Sequence, residues 1–569
     1  MKTASTPELS PPLQADLPAS CDVLVVGGGI NGAGIARDLA GRGHSVVLCE
    51  KDDLASHTSS SSTKLIHGGL RYLEYYEFSL VRKALAEREV LLKSAPHIMW
   101  PLRFVMPHDP SSSSVRPVWM IRAGLFLYDH LARREVLPAS TTVDLRSHPA
   151  GQALKPIFTK GFVYSDGWVD DARLVVLNAI DAAERGATVL TRWRCVDAQR
   201  EAAQWRVRLE SAAGEQHALT ARVLVNATGP WAAQFLSEHA HLPRAKSLRL
   251  VKGSHIVVPK MFDHDHAYIF QNPDKRVIFA IPYERDFTLI GTTDVEHTGA
   301  VGEARIDAEE TAYLCAQASR YFARAVTPQD VVWSYCGVRP LLDDESGDPS
   351  AVTRDYSLEL DTAMPPQDSD QPPRGAGAKQ PGAPLLTVWG GKITTFRKLA
   401  EEAADLLAAP LATSVKAGAA RPVARTRGAW THGAYLPGGD LSGWIGKAQR
   451  PDTDFTRFAQ AAALRYPRLT AGVVHRLARA YGARIETLLA GGDLGTEIAP
   501  GLFEVEMNYL HDFEWACSAE DVLWRRSKLG LHFDPAQRAA VADWCAAHWP
   551  AAVAQPSTTT LRQSETTWN

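Results

Sequence analysis

The chain has no cysteine framework. Its seven cysteines, Cys21, Cys49, Cys195, Cys315, Cys336, Cys517 and Cys545, are odd in number and form no CxxC pair. That spacing excludes a disulfide scaffold and a structural zinc site, and points to a reducing compartment. No run of about 18 apolar residues is present, so no transmembrane helix is expected. The opening MKTASTPELSPPLQADLPAS has no apolar core of the kind a signal peptide carries. Attachment to a membrane surface stays open. Net charge is also scarce. Lys plus Arg number 61 against 64 Asp plus Glu, and the balance of −3 excludes a globally basic nucleic-acid binder. With 45% hydrophobic and 22% charged residues the chain is neither disordered throughout nor fibrous. Its 569 residues are enough for several domains at roughly 150 residues each.

The apolar runs carry the organisation. DVLVV from Asp22 reads as a buried parallel strand, INGAGIARDLAGRG as a helix ending at Gly41–Gly43, and HSVVLCE as a second strand ending at Glu50. This is a β–α–β unit with a right-handed crossover. A helix over about 170–185, the strands ATVLTRW, RVLVNATG and LLTVWGG, and the helix KITTFRKLAEEAADLLA read as later pieces of the same domain. HIVVP and RDFTLIGTTD alternate like antiparallel strands, so a sheet-rich second domain interrupts the first. The expected boundaries are 21–75, 146–232 and 340–412 for the nucleotide domain, and 76–145 and 233–339 for the second. Residues 361–384 are rich in Pro and Gly and read as a mobile loop insertion. Residues 426–552 read as an all-helical domain, and 1–20 and 553–569 as loose tails.

Gly27-Gly28-Gly29-Ile30-Asn31-Gly32 fits GxGxxG directly after a strand and opening a helix. Gly27 permits the tight turn, Gly29 lets backbone approach a pyrophosphate, and Gly32 lets the helix pack on the sheet. The free N–H groups of the helix start favour phosphate. Glu50 can bond a ribose diol and would repel a 2′-phosphate, so FAD or NAD is favoured over NADP. The motif does not choose between these two. The hydroxyl-rich run Thr58 to Thr63, the His67-Gly68-Gly69 turn, Ala227-Thr228-Gly229 and Gly390-Gly391 offer several backbone approaches to one long ligand. That suits an FAD buried along its length better than a detachable NAD, although a Ser-rich loop is also simply a flexible one.

The strings VVGGGINGAGIARDLAGRG, STKLIHGGLRYLEYYEFSLVRKALAEREVLL, YSDGWVDDARLV, NATGPW, KGSHIVVP, GTTDVE, GVRPL, TRDYSLEL and GGKITTFRKLAE resemble the aerobic, FAD-dependent glycerol-3-phosphate dehydrogenases, in order over about residues 20–550. The N-terminal tail and the insertion before Pro384 depart from the pattern. The resemblance implies an α/β fold, α+β overall: a glutathione-reductase-type Rossmann FAD domain, a substrate cap and a C-terminal helical domain. It implies oxidation of sn-glycerol 3-phosphate to dihydroxyacetone phosphate, with hydride going to flavin N5 and electrons to a membrane quinone. It further implies a homodimer resting peripherally on the inner face of the cell membrane, on the cytoplasmic side. The FAD contacts it implies are Gly27, Gly29, Ile30, Asn31, Gly32, Glu50, Lys51, Thr58, Ser59, Ser62, Lys64, Leu65, His67, Val196, Ala227, Gly229, Trp231, Gly390, Gly391, Lys392 and Thr394.

The substrate is a dianion, so its site needs cations. The resemblance places Arg71, Arg339, Arg354 and Lys392 around it, with Tyr72 and His255. Removal of the C2 hydroxyl proton needs a base within hydrogen-bond reach. His255 is the first candidate, and a cationic Arg339 that favours the alkoxide is the alternative. The helix starting near Lys392 is suited to stabilising reduced flavin. No metal is implied. Trp119 to Arg134 winds into a helix with Arg122, Asp129 and Arg133 on one stripe, which suits either a core helix or a membrane-surface helix. An oxidase handing electrons to oxygen, and a non-catalytic dinucleotide-binding regulator, are the competing functions.

Overall fold

The computed structural model describes residues 17–109, 116–243, 246–274, 276–342, 355–362, 382–412 and 428–549. Most of the 361–384 insertion, both tails apart from residues 17–20, and Arg354 lie outside them.

The first sheet has eight strands. Its parallel part runs in the spatial order Leu385–Trp389, Gln216–Asn226, Ser20–Val26, Val46–Glu50, Thr188–Thr191. Alternate residues of these apolar strands serve two cores. Val23 and Val25 pack with the helices Ile30–Gly41, Asp171–Glu184 and Phe396–Ala412. Leu24 and Val26 pack with the antiparallel ribbon Trp193–Arg200 and Trp205–Ser211 on the other face. Burial on both faces explains why the strands read as unbroken apolar runs. The segment ATVLTRW is not one strand. Arg192, at φ +61, breaks it into a parallel strand and the start of the ribbon.

The second sheet has ten strands and carries the long antiparallel pairs Leu248–Pro259 with Trp333–Leu342, and Met99–Pro107 with Lys160–Val169. Three boundaries expected from sequence therefore shift, and residues 340–342 continue the second-sheet strand past the expected limit at 339. Lys160–Val169 and Leu65–Ile66 belong to this sheet, not to the nucleotide domain, because their backbone partners are Met99–Pro107 and each other.

The C-terminal part is helical around its own apolar core, with helices Pro451–Arg465, Ala471–Tyr481, Glu504–Glu514 and Pro535–His548. It is not all helix: Glu497–Ala499 and Leu502–Phe503 form a short antiparallel ribbon. The helix expected over 119–134 spans Val118–His130. Of its polar stripe, Arg122 is half-buried and Arg133 exposed. Asp129 is buried and accepts from the Ser140 N–H and hydroxyl at 2.9 and 2.7 Å. The outward residues are Trp119, Phe126 and Leu127, at 69, 60 and 37% exposure. Among the described residues no helix is long and apolar enough to cross a membrane.

Candidate active site

All five parallel strands point their carboxyl ends at one cleft. Gly390-Gly391, Ala227 to Gly229, Gly27 and Gly29, Glu50-Lys51 and Trp193 follow these ends in the order of the sheet, and together they line a cavity of about 820 Å³. Four inter-strand gaps of about 4.8 Å make this edge roughly 19 Å long, a span that suits a dinucleotide lying across the sheet.

Glycines shape the near wall. Gly27 has φ +111, and a Cβ there would lie 2.5 Å from the Ala227 carbonyl oxygen. At Gly32 a Cβ would lie 1.9 Å from the Gly27 carbonyl oxygen, so this glycine sets helix packing from behind the cavity and does not line it. At Gly29 a Cβ would meet only Ser59 Oγ, at 3.1 Å. The Ile30 N–H donates to Ser59 Oγ at 3.0 Å. Asn31 Nδ2 donates to the Gly390 carbonyl at 3.1 Å, which joins the first and last strand ends, and Asn31 Oδ1 is buried with no partner among the described residues. Glu50 accepts from the Gly28 and Asp52 N–H groups at 2.6 and 2.9 Å. Burial pushes its carboxyl above the usual range, and these two donors oppose the shift. Lys51 Nζ lies 4.9 Å from the Trp231 ring centre. Thr58 Oγ1 donates to the Val338 carbonyl at 2.7 Å. Gly27, Gly29, Ile30, Asn31, Glu50, Lys51, Thr58, Ser59, Ala227, Gly229, Trp231, Gly390 and Gly391 thus line one cavity.

Other expected contacts have different surroundings. Lys64 Nζ is buried in an ion pair with Asp171 at 2.7 Å, and Ser62 donates through N and Oγ to the same carboxylate at 3.1 and 2.7 Å. Burial pushes the Lys64 ammonium down, and Asp171 opposes this. Leu65 packs in the core of the second sheet. None of the three lines the cavity, because the chain turns inward after Ser61 to join the Asp171 helix. Val196 does not line it either; its neighbour Cys195 does. Sequence reasoning missed Trp193, Arg194, Trp333, Trp524 and Arg525, which also line it. No local motif marks them, since they reach the cleft from three separate parts of the fold.

Past Gly391 the chemistry changes from backbone to charge. The His67-Gly68-Gly69 turn is pinned by the Gly68 N–H, which donates to the Tyr128 hydroxyl at 2.9 Å, and by the His67 N–H, which donates to Thr394 Oγ1 at 3.3 Å. The turn delivers Arg71 and Tyr72 on the short helix Leu70–Tyr75. Lys392 Nζ lies 3.9 Å from the Tyr72 ring centre. Arg71 is half-buried and has no hydrogen bond or ion pair with a described residue. These residues form one group.

His255 and Arg339 form another, on neighbouring strands. His255 is buried, with Nε2 3.0 Å from Thr63 Oγ1 and its ring stacked on Tyr335 at 4.8 Å. Gly291 stands opposite, where a Cβ would lie 2.1 Å from His255 Cδ2. Burial, followed by the Arg339 and Lys64 cations, pushes the imidazole well below its usual range, so it is neutral near pH 7. Its Nδ1 is buried without a partner among the described residues. Arg339 crosses Gly253, is ion-paired with Asp294, and donates to Thr292 Oγ1 at 3.0 Å and the Thr293 carbonyl at 3.2 Å. Its charge is therefore already balanced, whereas Arg71 has no such partner among the described residues.

Comparisons with known proteins agree with this geometry. Residues 22–357 match the family model of the FAD dependent oxidoreductases, and residues 429–549 that of the C-terminal domain of alpha-glycerophosphate oxidase. The chain is 49% identical to a glycerol-3-phosphate dehydrogenase of Pseudomonas aeruginosa, over 97% of this chain and 98% of that protein. It is 48% identical to a D-erythritol 1-phosphate dehydrogenase of Brucella abortus, over 93% and 98%. It is 46% identical to the aerobic glycerol-3-phosphate dehydrogenase of Escherichia coli, over 92% and 97%. The solved glycerol-3-phosphate dehydrogenase of Bacillus halodurans complexed with FAD superposes with a TM-score of 0.69 at 26% identity, over 93% of this chain and 90% of that one. The choice left open between FAD and NAD is settled for FAD. With its glycine-walled cleft and its helical C-terminal domain, the chain belongs to the FAD dependent oxidoreductases, in the group of the aerobic glycerol-3-phosphate dehydrogenases.

Proposed function

We propose that the protein oxidises the secondary alcohol of sn-glycerol 3-phosphate to dihydroxyacetone phosphate and passes the electrons to a membrane quinone. The observation that carries this reading is the near-half identity, over almost the full length of both chains, to enzymes named for glycerol 3-phosphate. FAD supplies a hydride acceptor for the carbinol carbon. The chain supplies the rest. Arg71 and Lys392 hold the phosphate dianion, Arg71 with a charge no described residue neutralises. Arg354, outside the described residues, is proposed as a third cation. His255, neutral and with Nδ1 unpartnered, takes the hydroxyl proton, and Thr63 fixes the ring. Arg339, tied to Asp294, orients the hydroxyl more than it adds net charge.

A second reading has its own support: the 48% identity to an enzyme named for D-erythritol 1-phosphate. The same cations suit that longer phosphorylated polyol. Steady-state rates on both substrates separate them. A kcat/KM at least tenfold higher for sn-glycerol 3-phosphate is expected, and the reverse order would replace the substrate. Quinone reduction that outpaces oxygen uptake is the expected acceptor result; the opposite would make the protein an oxidase.

Surface attachment is part of the proposal. Trp119, Phe126 and Leu127 on the helix Val118–His130 are exposed, and so is Tyr76 on the adjoining segment at 79%. An outward aromatic and aliphatic face of this kind suits a lipid interface. Trp119→Glu with Phe126→Glu should abolish flotation with liposomes; unchanged flotation would remove this face from the membrane.

A further inference from the structure

We propose that the C-terminal helical domain is a wall of the FAD site and governs how long the cofactor stays bound. The π-helical turn Asp521–Arg526 sends Trp524 and Arg525 to the cavity, and Glu520 beside it also lines it. Trp524 stacks on Trp333 with ring centres 4.7 Å apart and planes 20° apart. Trp333 begins the second-sheet strand Trp333–Leu342, which lines the cavity as well. Three domains therefore meet around this end of the cleft.

Ion pairs hold the turn in place. Asp53 accepts from Arg525 Nε at 2.7 Å and from Arg526 Nη1 and Nη2 at 2.6 and 2.8 Å. Asp53 lies just beyond Glu50, Lys51 and Asp52, which line the cavity. Asp521 accepts from Arg192 at 2.6 Å, and Arg192 immediately precedes the lining residues Trp193, Arg194 and Cys195. Asp53, Asp521 and Arg526 are buried, so solvent screens these pairs little. Each of the two loops that form this end of the cavity is thus anchored to a carboxylate or guanidinium of a domain more than 300 residues away in sequence. A ligand that fills the cavity touches all three domains, so FAD binding and docking of the turn stabilise each other.

The test uses the full-length holoenzyme. FAD release is followed by the recovery of flavin fluorescence on dilution, for wild type, Trp524→Ala, Trp524→Phe and Asp53→Asn. Trp524→Ala should release FAD about tenfold faster, the scale of one lost aromatic contact, with Trp524→Phe close to wild type. Asp53→Asn should be faster still. Hydrogen exchange of holo against apo protein provides a second readout that a purely structural role would not move: FAD should protect amides in 520–526. Release rates within twofold of wild type for both Trp524→Ala and Asp53→Asn would overturn the proposal. So would exchange in 520–526 that is indifferent to FAD, even if the variants melt earlier.

Discussion

At the dinucleotide end of the cleft the walls are glycine backbones at the ends of five strands, whereas at the proposed substrate end the groups are long cationic side chains from separate segments. The first end tolerates almost no added atom. Its contacts are set by where the sheet places the backbone, and Gly27 and Gly32 have no room for a methyl group. The second end depends on which cations lack a counter-charge. Arg339 has Asp294 and Lys64 has Asp171, while Arg71 has no such partner among the described residues. Two arginines of equal standing in the sequence thus differ in how strongly each can draw an anion.

The largest expected effect would break this contrast at its backbone side. In Gly32→Ala the new Cβ would fall 1.9 Å from the Gly27 carbonyl oxygen, so the purified protein should lose its flavin absorbance. A fully yellow variant would show that the turn is not rigid. At the charged end, His255→Ala should keep FAD and lose about 100-fold or more in turnover. A nearly unchanged rate would pass the base role to another group. A smaller effect is expected from Lys392→Met, with KM for the phosphorylated substrate raised about tenfold and the flavin potential shifted downward. If both stay put, Lys392 belongs to neither flavin nor substrate.

The effect on the site itself should be smallest for a change that separates both ends from the scaffold. Burial, with Arg173 and Arg479 nearby, pushes the His97 imidazole down to about 3, and neither ring nitrogen has a partner among the described residues. Below about pH 6.5 the unfolded chain takes up a proton there that the folded chain refuses. This group leaves stability unchanged above that pH and lowers it by about 1.4 kcal/mol per pH unit as pH falls further. The loss levels off near pH 3, where the folded imidazole also protonates. Denaturant melts between pH 7 and 4 should show the decline, and His97→Leu should flatten it without changing flavin content. An unchanged slope would mean that His97 is not a source of acid lability.

The dinucleotide wall was legible because a glycine's role follows from local geometry. Gly27, Gly29 and Gly32 announce a strand–turn–helix wherever they occur in that context, and Glu50 follows from the next strand end. The helices Ile30–Gly41, Asp171–Glu184 and Phe396–Ala412 were legible for the same reason. For Lys64 and Ser62 the local string does not show the partner: the fold brings up Asp171, which lies far along the chain. The boundary 146–232 put Lys160–Val169 with the nucleotide domain, since a strand's partner is a long-range choice its own residues do not encode. Trp524 and Arg525 were invisible to local reading because only domain docking carries them to the cleft.

The most direct test of the account is the visible spectrum of the purified protein under anaerobic conditions as sn-glycerol 3-phosphate is added. The flavin band should bleach at once and return on addition of a quinone. A yellow protein that dithionite reduces but that the phosphorylated alcohol leaves unbleached would contradict it.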